Sequence, residues 1–257
     1  MGKIVAIVNQ KGGVGKTTTA VNLSSCVAAL EYKTLLVDFD PQGNSSSGVG
    51  LDKSRPQHVY HGLLGLAEPA ELIVETQVPF LYLLPSGQDL AGAEIELVSL
   101  MARETRLKKM LEKVREDYDF IFVDCPPSLG LLTVNALVAA DSILVPVQTE
   151  YFALEGLSDL MGTIGLIRSE LNPQLVIEGL LLTMVDERTR LARDVANEVK
   201  VHFGAQVFDT VIPRNIKLSE SPSHGEPIIM YDIASKGAQA YLALAAEFVD
   251  RQKEGAA

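Results

Sequence analysis

Residues 3–18 have the sequence KIVAIVNQKGGVGKTT, in which a short apolar run is followed by glycines and a lysine. The run from Ile4 to Val8 is apolar on both faces, which is typical of a strand in a parallel sheet covered by helices on each side. Glycines in such a turn let backbone N–H groups converge on phosphate oxygens at the start of the next helix. The stretch therefore predicts a strand, a phosphate-binding loop and a helix, in that order.

The loop also contains two candidate ligand-binding side chains. The GxxxxGK[ST] pattern is not met strictly, because Gln10 stands where its first glycine belongs. Its GK[ST] end is present, so Lys16 would reach the β- and γ-phosphates and Thr17 would ligate Mg²⁺. A glycine-rich turn with a solvated lysine is the alternative, which the flanking strand and helix disfavour.

The rest of the chain alternates apolar runs with helical stretches. Further strands are predicted at residues 34–39, 80–84, 120–123, 142–147, 176–183 and 207–212. Helices are predicted at residues 16–30, 94–116, 131–140, 153–171, 190–203 and 235–252. This order predicts an α/β fold with a doubly wound, mostly parallel sheet and helices on both faces. We expect one domain over residues 1–257, a mobile loop at 42–56, and a frayed tail after about residue 250.

Carboxylates follow two of the predicted strands. Asp38 and Asp40 lie two residues apart, so their side chains point the same way while the chain stays extended. Asp124 ends the apolar run 120–123, as a Walker B aspartate does when it holds Mg²⁺ through water. The alternative for all three carboxylates is capping of the turn that follows the strand.

The composition limits the classes of protein to which the chain belongs. Hydrophobic residues make up 47% and charged residues 21%, as in soluble globular proteins. The net charge of −11 means that any contact with DNA must come from a local basic patch. Cys26 and Cys125 lie in no CxxC motif, so neither a disulfide framework nor a zinc or iron–sulfur site is expected. The sequence has no recognisable signal or membrane-spanning segment, and we expect a cytoplasmic protein.

Residues 11–19, KGGVGKTTT, resemble the deviant Walker A motif of the ParA/MinD group of P-loop ATPases. Lys11 matches the signature lysine of that group, which reaches across a sandwich dimer to the nucleotide of the partner subunit. Without this resemblance, Lys11 is a solvated loop cation. The resemblance implies a homodimer formed with ATP and Mg²⁺.

The resemblance covers almost the whole chain and is closest to the short chromosomal ParA type, often called Soj. It implies that Asp40 orients the hydrolytic water and that Asp124 occupies the Walker B position, and we expect Asp38 to support the metal shell. The nucleotide contacts that it implies are Lys11, Gly12, Gly13, Val14, Gly15, Lys16, Thr17, Thr18, Pro213 and Asn215. From the residues alone, the segment with Pro213 and Asn215 is only a transition from strand to turn.

A group of arginines near the predicted helix 190–203 is the candidate DNA-binding patch. Arg188, Arg190 and Arg193 cluster there, and Lys217 follows the Pro213–Asn215 loop. By resemblance, Arg188 and Lys217 fall on or near positions that contact DNA in Soj-type proteins. The alternative is a solvated basic face without function.

The function implied by the resemblance is that of a chromosome- or plasmid-partitioning ATPase. ATP would drive dimerisation, the dimer would bind DNA without sequence preference and associate with the nucleoid, and a ParB-type partner would stimulate an otherwise slow hydrolysis. The alternative is the same switch used to position another cargo, or to regulate replication initiation or cell division. A MinD-like membrane role is disfavoured, because residues 241–257 carry three acidic residues against two basic ones.

Overall fold

The computed structural model describes residues 2–52, 55–150, 153–186 and 188–255. Its seven strands are β1 (Lys3–Ile7), β2 (Thr34–Asp38), β3 (Val74–Glu75), β4 (Leu81–Leu84), β5 (Phe120–Asp124), β6 (Ser142–Gln148) and β7 (Val176–Thr183). They form one sheet in the order β3-β4-β2-β5-β1-β6-β7. All neighbouring strands are parallel except β3 and β4, so the predicted doubly wound, mostly parallel sheet is confirmed.

Helices cover both faces of this sheet. They are α1 (Lys16–Ala29), α2 (Asn44–Gly48), α3 (Val59–Leu64), α4 (Pro69–Leu72), α5 (Leu90–Val98), α6 (Arg106–Glu112), α7 (Leu131–Ala139), α8 (Ala153–Glu170), α9 (Arg190–Phe203), α10 (Ile216–Glu220), α11 (Ile228–Tyr231) and α12 (Lys236–Gly255). Short 3₁₀ turns lie at Arg103–Thr105, Arg115–Asp117, Gly204–Gln206 and Ser221–His224. Within the described ranges, no helix is long and apolar enough to cross a bilayer.

The core consists of two apolar layers, one on each face of the sheet. Along β1, Ile4 and Ala6 are buried in one layer and Val5 and Ile7 in the other. Helices α1 and α12 contribute to the second layer, whereas α5 to α9 contribute to the first. A strand that is apolar on both faces is thus explained by burial on both sides.

Two predicted elements were wrong. A continuous helix over residues 94–116 does not form, because α5 ends at Val98 and Ala102 has a left-handed φ of 52°, which a right-handed helix cannot contain. No regular strand forms at 207–212, where the chain makes only single bridges, Leu180 to Val207 and Val185 to Pro213.

Two segments that we predicted to be irregular, the loop 42–56 and the tail after about residue 250, contain helical structure. The segment 42–56 contains helix α2, in which Ser45 and Ser46 are buried, and its residues 53 and 54 lie outside the described part. The last helix continues past residue 250 to Gly255, and residues 256 and 257 are likewise outside the described part. The strand β3 has two residues, which is too short for a sequence pattern to reveal.

Candidate functional site

The glycine-rich loop connects β1 to α1 at the carboxyl end of the sheet. Gly13 and Gly15 have φ angles of 76° and 90°, a conformation that side chains with a Cβ rarely adopt. The buried hydroxyl of Thr183 donates a hydrogen bond of 2.8 Å to the Val14 carbonyl, which ties the loop to the end of β7. The loop conformation is therefore fixed by glycine geometry and by a contact with the neighbouring strand.

Lys16 is buried inside this loop. Its side chain folds back so that Nζ donates to the Lys11 carbonyl at 3.3 Å, and the residue is only 7% exposed. Burial lowers the pKa of the Lys16 ammonium, while the nearby carboxylates of Asp124 and Asp40 raise it. Within the described part of the chain, Lys16 forms no salt bridge. A buried cation without a directly paired carboxylate can bind an anion that enters the loop.

Asp38 and Asp124 lie side by side at the ends of β2 and β5, where the two residues pair in register. Each is fully buried and uses one carboxylate oxygen in the fold. The Ser46 N–H and hydroxyl both donate to Asp38 Oδ2 at 2.7 Å, and the Ser45 hydroxyl donates to Asp124 Oδ2 at 2.7 Å. The other oxygen, Oδ1, of each carboxylate has no hydrogen-bond partner among the residues described.

The electrostatics of this pair are unfavourable without a cation. Burial raises the pKa of Asp124 to about 7, and the adjacent Asp38 adds to the increase, while the hydroxyls of Ser45 and Thr17 oppose it. Burial also raises the pKa of Asp38 to about 6, although its hydrogen bonds from Ser46 act in the opposite direction. Two buried carboxylates with one orphaned oxygen each, beside the Thr17 hydroxyl, fit a divalent metal with oxygen ligands.

Asp40 lies just beyond the end of β2, and two contacts fix its position. Its carboxylate Oδ1 accepts the Gln42 N–H at 2.9 Å, and its backbone carbonyl accepts the Ser86 hydroxyl at 2.7 Å. Asp40 is 7% exposed and contributes to the electrostatic environment of Lys16 and Asp124. The predicted residues Lys16, Thr17, Asp38, Asp40 and Asp124 thus gather at one end of the sheet.

The serines that hold these carboxylates were missed in the sequence. Ser45 and Ser46 lie in the Gly/Ser-rich segment that we predicted to be a loop, and Ser86 follows β4. Ser86 N donates to Ser46 Oγ at 3.2 Å, which connects the support of Asp38 to that of Asp40. Serine has no periodic pattern that marks such a role, although three consecutive serines at 45–47 are a signal for local hydrogen bonding.

A cavity of about 360 Å³ joins the glycine-rich loop to the predicted base-contacting residues. Gly15 and Thr18 line one part of it, and Pro213 and Asn215 line another. The Asn215 side chain also caps α10, because its Oδ1 accepts the Lys217 N–H at 2.9 Å. A cavity of this size beside a phosphate-binding loop accommodates the nucleoside part of a nucleotide.

Lys11 and Gly12 lie on the outer side of the loop. Lys11 Nζ forms a salt bridge of 2.6 Å with Glu150, and the two side chains are 40% and 48% exposed. A Cβ built on Gly12 meets no atom within 4 Å. Among the residues described, no contact inside the subunit therefore excludes a side chain at position 12.

The two predicted DNA-binding residues are both paired with acids, and Arg188 is exposed whereas Lys217 is half-buried. Arg188 donates from Nε and Nη2 to the two carboxylate oxygens of Asp186, each at 2.8 Å, and its side chain is 89% exposed. Lys217 forms a salt bridge of 3.0 Å with Glu220, and its ammonium lies over the Tyr231 ring. The hydrogen bonds from Arg188 lower the pKa of Asp186 to about 2.

Three comparisons place the chain among known proteins. Residues 2–177 match the protein family described as "AAA domain". The chain is 57% identical to the sporulation initiation inhibitor protein Soj of Bacillus subtilis, over 96% of this chain and 98% of that protein. It is 52% identical to the chromosome partitioning protein ParA of Myxococcus xanthus, over 98% of this chain and 89% of that protein. It also resembles a crystal structure of cobyrinic acid a,c-diamide synthase from Mycobacterium smegmatis with bound ATP analogue and magnesium. That structure has a TM-score of 0.87 and 37% identity, over 99% of this chain and 97% of the other.

Proposed function

The chain belongs to the Soj/ParA family of chromosome-partitioning P-loop ATPases. We propose that it is a slow ATPase that dimerises with ATP, binds DNA as a dimer, and hydrolyses ATP faster in the presence of a ParB-type partner. The single observation that carries this proposal is the gathering of Lys16, Asp38, Asp40 and Asp124 at the mouth of the glycine-rich loop. They match recurring parts of Mg²⁺-dependent ATP hydrolysis: a lysine for the phosphates, carboxylates for the metal and a residue that orients the water.

Separate sets of residues bind the phosphates, the base and the Mg²⁺ ion in this proposal. Lys16 and the backbone N–H groups of residues 12–18 bind the phosphates, and Pro213 and Asn215 contact the base. Thr17, Asp38 and Asp124 hold Mg²⁺, which when bound neutralises charge on the β- and γ-phosphates. The orphaned oxygens of Asp38 and Asp124 support this assignment, as does the ATP analogue and magnesium in the Mycobacterium smegmatis structure.

Asp40 orients the attacking water in this proposal. Among the residues described, the side-chain hydrogen bond to its carboxylate comes from Gln42 N–H to Oδ1, which leaves Oδ2 able to accept a hydrogen bond from water. Its backbone is fixed by Ser86, so the carboxylate is in position before ATP arrives. Preorganisation of this kind lowers the barrier, because the group does not have to be ordered during the reaction.

The dimer completes the site. Lys11 exchanges its salt bridge with Glu150 for the nucleotide of the partner subunit, where its charge stabilises the transition state. The open space at Gly12 supports close approach of a second backbone at this face. Each subunit then contributes one copy of the basic surface near Arg188, and two copies double the contacts with DNA phosphates.

DNA binding in each nucleotide state tests the switch. Fluorescence anisotropy on unrelated duplexes with Mg²⁺-ATP should give binding that is independent of sequence and falls with added salt, whereas Mg²⁺-ADP should give weak binding. Arg188→Glu and Lys217→Glu should each reduce the ATP-dependent binding. Equal affinity with ATP and ADP, or unchanged binding in both variants, would contradict the proposal.

A second use of the same switch is supported by one comparison. The Bacillus subtilis relative is named a sporulation initiation inhibitor, which is a regulatory role. The alternative is therefore that this chain positions another cargo or regulates replication initiation or division. Stimulation of hydrolysis by a ParB-type protein encoded beside this chain, measured as phosphate release, distinguishes partitioning from these roles.

A further inference from the structure

Two glycines from distant parts of the chain are in close contact near helix α2. Gly50 lies just after α2, and Gly225 follows the 3₁₀ turn Ser221–His224. A Cβ built on Gly225 would lie 2.9 Å from Gly50 Cα, and one built on Gly50 would lie 3.0 Å from the Gly225 carbonyl oxygen. Carbon atoms in van der Waals contact are about 3.5–4.0 Å apart, so a side chain at Gly225 would push the two backbones apart.

Gly50 is connected by short backbone hydrogen bonds to the serines that hold the buried carboxylates. Gly50 N donates to the Ser47 carbonyl at 3.0 Å, and Leu51 N donates to the Ser46 carbonyl at 2.9 Å. Ser46 donates from both its N–H and its hydroxyl to Asp38 Oδ2, each at 2.7 Å. A displacement of Gly50 is therefore transmitted to the residue that orients Asp38.

Gly225 belongs to a segment that is anchored on helix α1. The buried side chain of Asn22, in α1, accepts the Ile228 N–H on Oδ1 at 2.7 Å. The Nδ2 of Asn22 donates to the Thr18 carbonyl at 2.8 Å. Because Thr18 directly follows Thr17, the Gly225 side of the contact is fixed relative to the start of α1, where the phosphate-binding loop ends.

The side chain of Gln77 bridges the two glycines. Gln77 precedes β4, and its Nε2 donates to the Gly225 carbonyl at 2.8 Å. The same Nε2 would lie 3.2 Å from a Cβ built on Gly50. Gln77 is exposed, so water competes for its hydrogen bond. Gln77 thus helps to keep the two segments together, whereas the lack of side chains on the glycines lets the backbones approach closely.

We propose that Gly225 is a positioning residue for the Mg²⁺ site. Its contact with Gly50 holds α2 in the place where the serines of that helix orient the two buried carboxylates. This inference rests on the Mg²⁺-dependent ATP binding stated under the proposed function. A side chain at position 225 should therefore weaken Mg²⁺ binding, although it removes none of the groups that we assign to the metal or the nucleotide.

Another glycine of the chain provides a matched control. Gly225 has φ and ψ of 66° and 28°, and Gly65, which follows α3, has 76° and 25°. Alanine at either position is strained by the left-handed backbone. Among the residues described, a Cβ built on Gly65 meets no atom within 4 Å. Gly65→Ala therefore introduces the strain without the clash, and the difference between the two variants measures the contact with Gly50.

Titration of nucleotide binding with Mg²⁺ provides the test. The affinity of each full-length variant for a fluorescent ATP analogue is measured in EDTA and at increasing Mg²⁺ concentrations. Gly225→Ala should need several times more Mg²⁺ than the parent for the half-maximal effect, because its carboxylates are no longer held in place for the metal. Its affinity in EDTA should stay close to that of the parent. Gly65→Ala should match the parent in both measurements.

Gln77 offers a milder variant that keeps the test decisive if Gly225→Ala does not fold. Gln77→Glu preserves the length of the side chain but cannot donate to the Gly225 carbonyl. Its Mg²⁺ requirement should rise by about two-fold or more. Gln239→Glu is the control, because the exposed Gln239 also donates from Nε2 to a carbonyl, that of Ile233, at 2.8 Å. The two variants have the same change in net charge.

The outcomes separate this inference from the proposed function. If the parent requires Mg²⁺ but Gly225→Ala and Gln77→Glu match their controls, the positioning role is wrong and the metal site stands. If Gly225→Ala loses the same affinity with and without Mg²⁺, the contact supports the fold in general, and the positioning role is again wrong. If ATP binding by the parent does not respond to Mg²⁺, the proposed metal site is wrong, and the positioning role with it. A higher Mg²⁺ requirement with near-parental affinity in EDTA supports the inference.

Discussion

The carboxyl end of the sheet and the exposed surface around Arg188 hold their charged groups in opposite ways. Asp38 and Asp124 are fully buried and each has a serine hydroxyl at 2.7 Å, whereas the Arg188 side chain is 89% exposed and pairs with its neighbour Asp186. A buried carboxylate keeps its orientation because every alternative position costs desolvation. An exposed pair exchanges partners easily. The first region is therefore suited to chemistry at fixed distances, and the second to reversible binding.

The largest effect that we predict is on ATP hydrolysis, for Asp40→Ala at the carboxyl end of the sheet. Loss of the water-orienting carboxylate should reduce ATP hydrolysis by about 100-fold or more while ATP binding is retained, so that a long-lived ATP dimer accumulates. Phosphate release and light scattering measure the two effects. Asp40→Asn is the sharper variant, because it keeps an acceptor for Gln42 N–H and loses only the charge. A monomeric Asp40→Ala protein under saturating ATP would contradict the assignment.

Lys16→Ala should weaken ATP binding by about 100-fold, because the ammonium makes charge-assisted hydrogen bonds to the phosphates. Titration with a fluorescent ATP analogue measures this loss, and Mg²⁺-ATP should no longer raise the melting temperature of the variant. Lys113→Ala removes an exposed lysine paired with Glu68 and is the matched control. Near-parental affinity of Lys16→Ala would mean that the buried ammonium does not contact the nucleotide.

Gly12→Val should prevent dimerisation without unfolding the subunit. The added side chain meets open space within one subunit, but it would meet the backbone of a partner in a face-to-face dimer. The variant should bind ATP and remain monomeric by light scattering at protein concentrations where the parent is a dimer. If it dimerised as the parent does, Lys11 could not be acting across such an interface.

Thr183→Val should produce a smaller loss, this time of stability. The substitution preserves shape but leaves the buried Val14 carbonyl without its hydrogen bond of 2.8 Å, at a cost of about 1–3 kcal/mol. Denaturant unfolding measures the change, and Thr183→Ser, which keeps a hydroxyl, should recover part of it. Equal stability of Thr183→Val and the parent would show that β7 does not hold the loop.

Arg188→Glu should have the smallest effect on stability, with no measurable change in the unfolding midpoint. Its ion pair is exposed, so the pair contributes little to the folded state, although the same change should weaken DNA binding. Thermal unfolding at low and high salt checks this prediction. A clear loss of stability would mean that the Arg188–Asp186 ion pair stabilises the fold as well as contributing to the proposed binding surface.

Local sequence carried most of the information about the nucleotide site. The loop between β1 and α1, and the carboxylates Asp38 and Asp124, lie next to strands whose apolar runs are unmistakable. Parallel strands bring their carboxyl ends to one edge, so these residues meet whatever the details of the helices. The roles that we assign to them, and the single domain, stay predictions.

The features that we did not predict depend on contacts between residues far apart in the chain, which local sequence patterns do not reveal. Ser86 supports Asp40 from 46 positions away, and Arg214 and Lys236 share a depression with Arg188 only because of the folded backbone. Residues 94–116 have helical spacing, yet Met101 is 90% exposed and the left-handed Ala102 interrupts the helix. Periodicity reports which residues are apolar, and it does not report where the chain turns.

The loop with Pro213 and Arg214 borders two spaces at once. Both residues line the cavity of about 360 Å³ beside the glycine-rich loop, and both also line a hollow of about 650 Å³ that contains Arg188 and Lys236. A nucleotide that shifts this loop would also shift Arg214, which lies beside Arg188 on the surface where we propose that DNA binds. Such a coupling is reciprocal by thermodynamic necessity. With DNA binding coupled to ATP as we propose, the factor by which ATP raises the affinity for DNA would equal the factor by which DNA raises the affinity for ATP, and DNA would itself be an effector of nucleotide retention.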